Sequence, residues 1–102
     1  MKYLVLVKVR PDAQITAELA AAHKRAIMDQ VEKRQAESVY VFAGRGAPHG
    51  MLILNADTPE QLNELVLSVP GFRVCDLEVH PLADFAKVQD QLIDMLKKSG
   101  GL

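Results

Sequence analysis

Tryptophan is missing from this chain, and two tyrosines and three phenylalanines are its only aromatic residues. A platform for stacking single-stranded bases needs more aromatic surface than that. Cysteine is nearly absent as well. The lone Cys75 cannot close an internal disulfide, so a reducing, cytoplasmic setting is the expectation. Neither sign of charge is in excess: 12 Lys and Arg oppose 13 Asp and Glu, for a net charge of −1. Without a basic stripe, neither nucleic acid nor a membrane surface is an expected partner. Long apolar runs are lacking too. The five apolar residues between Lys2 and Lys8 are too few for a secretory leader, and no stretch approaches a membrane span. No internal repeat or low-complexity segment interrupts the chain.

What is present is ordinary globular material. Hydrophobic residues make up 49% of the 102 positions and charged residues 25%, which suits one domain with one core. Lys2–Val9 is rich in Val and Leu and reads as a strand. Ile15, Leu19, Ala22, Ala26, Ile27 and Val31 then recur at helical spacing, which predicts a helix capped by Thr16 and running to about Arg34 or Ala36. Ser38–Ala43 and Met51–Asn55 read as two strands joined by the Gly-rich hairpin Gly44–Gly50. Thr58, Pro59 and Gln61 form the start signal of a second helix, with Gln61 completing a capping box, and Pro70-Gly71 stops it. Arg73–His80 reads as a fourth strand, and Ala83–Lys98 as a last amphipathic helix ahead of a frayed tail at 99–102.

The order β-α-β-β-α-β-α gives an α+β domain over residues 1–102. Its core, 1–82, follows a ferredoxin-like βαββαβ plan with an antiparallel four-stranded sheet, and a C-terminal helix is added at 83–98. Both crossover helices fall on one side of such a sheet. Tyr3–Val7 and Met51–Leu54 are apolar on both faces, so the other side also needs a cover. The last helix or the sheet of a second subunit could supply it. The second is preferred, because Asp76, Glu78 and His80 alternate with Cys75, Leu77 and Val79 and so share that face. Three ionisable groups under a dry helix would be costly. They are expected to look into an enclosed space between subunits.

The segment Val69-Pro70-Gly71-Phe72-Arg73-Val74-Cys75-Asp76-Leu77-Glu78-Val79-His80-Pro81-Leu82 resembles the closing segment of muconolactone isomerases. Asn55–Leu62 resembles the strand-to-helix junction of that family, and Tyr3–Pro11 fits its opening. His23 also stands where the related YCII domains carry a helix histidine. The resemblance implies membership of the dimeric α+β barrel superfamily, a homodimer or higher homo-oligomer, and a pocket for a small-molecule substrate. It also implies cofactor-free proton transfer on an anionic or lactone-type metabolite. The Gly-rich hairpin and the longer third helix depart from the isomerase pattern.

Chemistry of that kind needs a base, and donors for the enolate that forms. Glu78 and Asp76 are the expected bases, His80 could shuttle the proton, and His23 could serve if bonded to a strand carboxylate. Lys8, Arg45 and Arg73 are candidates for gripping a substrate anion, with His49 nearby in the hairpin, and Tyr40 offers a pocket wall with a hydroxyl. No Cys pair or His spacing points to a metal, and no cofactor motif is present. The alternative is a non-catalytic ligand-binding or oligomerisation domain of the same fold.

Overall fold

The computed structural model describes residues 1–100; of the tail expected to be frayed, 101–102 lie outside the described residues. Seven regular elements follow the expected order: β1 (Lys2–Val9), α1 (Ala17–Glu32), β2 (Ala36–Val41), β3 (Gly50–Asn55), α2 (Pro59–Leu67), β4 (Cys75–Leu82) and α3 (Phe85–Lys98). The four strands form one antiparallel sheet in the order β2-β3-β1-β4. Val5 and Leu54, both without exposure, centre the core with Leu52, Val69, Ile27, Leu65 and Phe72. That core lies between the sheet and the pair α1 and α2.

Local chemistry sets most boundaries. Thr16 Oγ1 accepts from Leu19 N at 3.1 Å and opens α1. The helix stops at Glu32, short of the expected end, because Arg34 turns into the left-handed region at φ 60° and releases the chain into β2. Ser38 takes the same conformation at φ 53°. It sits in a bulge where Ser38 and Val39 together oppose the single residue Leu52, so β2 begins at Ala36 and ends at Val41 rather than spanning 38–43. At α2, Thr58 Oγ1 accepts from Gln61 N, while Gln61 Oε1 accepts from Asp57 N at 2.7 Å. The reciprocal bond thus reaches one residue beyond the cap that a standard capping box would serve.

The end of the chain brings one correction and one outcome in line with the preferred expectation. Pro70–Val74 winds into a 3₁₀ turn with Gly71 and Phe72 buried, so Arg73 is not a strand residue and β4 starts at Cys75. The third helix does not cover the sheet: no α3 side chain is buried, and Phe85 and Met95 are largely exposed. The molecule measures 59 × 30 × 21 Å with a radius of gyration of 17.3 Å, against about 13 Å for a compact chain of this size. α3 therefore stands away from the body.

One buried polar side chain joins the two packed helices. Gln30 on α1 donates from Nε2 to Leu65 O at 2.8 Å and to Ser68 Oγ at 2.9 Å, and Ser68 Oγ donates in turn to Leu65 O.

Candidate functional site

Strand pairing places the predicted residues on two different faces. Residues opposite one another in an antiparallel pair point the same way. Lys8 pairs with Asp76, Leu6 with Glu78 and Leu4 with His80, and on the other flank Leu4 pairs with Ile53 and Leu6 with Met51. Tyr40 pairs with Met51 and extends this face to β2. The helices occupy the opposite face. Asp76, Glu78, His80, Lys8 and Tyr40 thus share one side of the sheet, while His23 on α1 lies on the other.

On the open side, a shallow cleft of about 390 Å³ is lined by Leu6, Lys8, Asp76 and Glu78, with Ala47 and Pro48 of the hairpin at its edge. His80 Nε2 lies 3.4 Å from Glu78 Oε2. Arg10, not singled out above, is the organising cation. Its Nε donates to Asp76 Oδ1 at 3.1 Å, and its Nη1 and Nη2 donate to the carbonyls of Arg73 and Cys75. Nothing within the described residues encloses this cleft: the side chains of Asp76 and Glu78 are 67% and 66% exposed. Lys2 and Glu37 form an ion pair on the same face, which holds the Glu37 carboxyl below its ordinary range. Arg45 is exposed in the hairpin and does not line the cleft, and Arg73 is exposed on the 3₁₀ turn. His49 Nδ1 is occupied by a hydrogen bond from Val9 N.

The helix side holds the more enclosed chemistry. Between α1 and strands β1, β3 and β2 runs a cleft of about 430 Å³, lined by Val7, Ile27, Met28, Val39, Leu52 and Phe72 among other residues, nearly all apolar. His23 and Lys24 contribute the ionisable groups from α1, and His49 reaches it from the hairpin. A second cavity of about 180 Å³, with Ile15, Leu19, Val74 and Cys75, adjoins it and shares Val7, Val9 and His23. The His23 ring meets Phe72 edge-on, with centroids 5.3 Å apart and an interplanar angle of 73°. Its Nδ1 is sealed without a hydrogen-bond partner; Nε2 is not. The expected bond from His23 to a strand carboxylate is therefore absent, because the sheet separates the two. A mostly apolar concavity with one or two polar groups is the usual form of a small-molecule site.

Burial lowers the His23 pKa from the ordinary 6.5, since a charged imidazole is poorly solvated there. The ring is neutral at pH 7 and able to accept a proton. Between 6.5 and the lowered folded value, the unfolded chain binds a proton that the folded chain refuses. Stability is therefore full above pH 6.5 and declines as pH falls through that window. Urea unfolding at pH 7.5 and 5.5 should show this loss, and His23→Gln should remove its share. An equal slope in the variant would show that burial of His23 does not oppose its protonation. Cys75 behaves otherwise. Burial raises its pKa, and its Sγ lies 3.3 Å from Gly71 O, so it packs as a neutral thiol.

Among the described residues, no three His, Cys, Asp or Glu side chains converge as a metal site, and no helix is long and apolar enough to cross a membrane. The strand order and the helix pair on one face define a ferredoxin-like α+β subunit. The family model described as Muconolactone delta-isomerase matches residues 1–87, and the chain belongs to that family. A crystal structure of muconolactone isomerase shares the fold, with a TM-score of 0.70 and 19% identity over 82% of this chain and 90% of that one. So does a 5-chloro-2-hydroxyhydroquinone dehydrochlorinase from Burkholderia phenoliruptrix AC1100, solved with 2,5-dihydroxybenzoquinone. There the TM-score is 0.64, with 19% identity over 85% of this chain and 98% of that one. No curated protein matches the chain in sequence. Family and fold together support a small-molecule enzyme.

Proposed function

We propose that this protein catalyses cofactor-free proton transfer on an anionic or lactone-type metabolite, shifting a double bond as a muconolactone isomerase does, with His23 as the proton carrier. One observation carries the reading: a neutral imidazole is held in a cleft whose other walls are almost wholly apolar. Neutral His23 removes a proton from carbon, the electron pair spreads into the conjugated carbonyl, and the imidazolium returns the proton at the far end. The enolate charge offsets the cost of an imidazolium in an apolar site. Lys24 on the cleft wall supplies a cation for a substrate carboxylate.

The open sheet face serves assembly in this reading. Leu4, Leu6, Met51 and Ile53 form an apolar band beside Lys8, Asp76 and Glu78, and a second copy of the sheet covers it in a homodimer or higher homo-oligomer. The single buried thiol suits a reducing, cytoplasmic setting.

A second reading has an observation of its own. Lys8, Asp76 and Glu78 line one cleft, and a covering subunit would desolvate the two acids and make either a base, with His80 beside them. Incubation with muconolactone in D₂O tests both. Isomerisation with solvent deuterium in the product supports proton transfer. Loss of that exchange in His23→Gln with retention in Glu78→Gln supports the first reading, and the reverse pattern the second. Binding of the lactone without exchange would leave the ligand-binding alternative.

A further inference from the structure

Gly71 lies in the 3₁₀ turn between α2 and β4, and it is buried. Its φ is not in the left-handed region, so its backbone shape does not call for glycine. The space around it does. A methyl group built at Gly71 would fall on His23 Nδ1, and would stand 2.6 Å from Cγ and 3.0 Å from Cβ of the same residue. The overlap involves the root of the side chain as well as its ring, so a small torsion of the imidazole cannot relieve it. The adjoining Phe72 presents its ring to the same imidazole. The turn therefore forms a seat: a bare Cα against one edge of the ring and an aromatic side chain beside it. This also accounts for the unpartnered Nδ1, which abuts Cα of Gly71 where no acceptor stands.

We propose that Gly71 is a positioning residue, whose missing side chain lets the His23 imidazole lie in the wall between the two helix-side cavities. Its effect on turnover rests on the proton-carrier reading of His23; its effect on the ring does not. With any larger residue at this position, the imidazole is driven out of the wall toward solvent.

The experiment pairs an NMR titration with kinetics on the full chain. Histidine ring signals are followed against pH, and the His23 signal is assigned by its loss in His23→Gln. In Gly71→Ala the His23 midpoint should rise toward 6.5 as the ring gains water. With muconolactone as the probe, kcat should fall about a hundredfold, the scale of a misplacement near 1 Å. In the His23→Gln background, Gly71→Ala should cause no further fall, since the two act as a unit. An unchanged His23 midpoint in Gly71→Ala overturns the proposal, as does an equal loss of kcat in both backgrounds. If Gly71→Ala does not fold, His23→Ala/Gly71→Ala decides: recovered folding shows that the ring was the obstacle, and continued failure overturns the proposal. Wild-type turnover in His23→Gln would end the proton-carrier reading alone, and the midpoint would still judge Gly71.

Discussion

His23→Gln is expected to lower kcat on muconolactone by about 10²–10⁴-fold, the range lost with a positioned acid–base group. Glutamine has nearly the volume of histidine, so the cleft should keep its shape and KM should change little. The loss belongs to the transition state, where the proton is between carbon and nitrogen. The pH profile gives an independent measure. The wild-type kcat/KM should fall on the acid side along a limb lying below 6.5, because the free enzyme must present a neutral ring. Glu78→Gln should leave that limb in place. A wild-type rate in His23→Gln would remove the chemistry from the helix side altogether.

The second large effect concerns assembly. The wild-type chain should sediment as a dimer or larger species, and Leu6→Asp should convert it to monomer. Leu6 sits at the centre of the open face, between Glu78 on β4 and Met51 on β3. Tyr40 adds further exposed area at 67%. Contiguous apolar surface of this kind marks an interaction site on a soluble protein. Placing a carboxylate at its middle, beside Glu78, would bury an unpaired charge at a cost of about 3–5 kcal/mol. That corresponds to a weakening of about a hundredfold or more in the dissociation constant. A wild-type chain that stays monomeric at tens of micromolar would show that this face is not an interface, and Asp76 and Glu78 would then stand in open water.

Much of this architecture is legible in the residues, and for definite reasons. Thr16 and Thr58 announce their helices because a hydroxyl at the cap satisfies a free backbone N–H, and both do so here. The period of two sorts Asp76, Glu78 and His80 onto one face of β4, and Lys8 with Leu4 and Leu6 on one face of β1, without any structure; the strand register then joins the two sets. The same parity extends to Arg10, one step beyond Lys8, and could have exposed its pairing with Asp76. It also argued against a bond between His23 and those acids, since α1 must cover the odd-numbered side of β4. Other features have no local signal. Arg34 and Ser38 adopt left-handed conformations for which glycine or asparagine is the usual signal, so the residues carry no mark of where β2 starts and bulges. The 3₁₀ turn hid behind a Pro-Gly pair that reads as a plain stop. The closeness of Gly71 to His23 spans 48 positions and follows only from the docking of α1 on that turn.

The Gln30 bonds give the helix-side cleft two unequal jaws. α1 is pinned to the end of α2 by a buried amide, so that jaw moves only with the whole helical layer. The opposing jaw, β2, is an outer strand with hydrogen-bonded neighbours on one flank and a bulge in its middle. The sheet edge thus has fewer ties to the rest of the fold than the helical side. Val39 and Val41 sit on the less braced jaw, and the imidazole across from them sits on the pinned one.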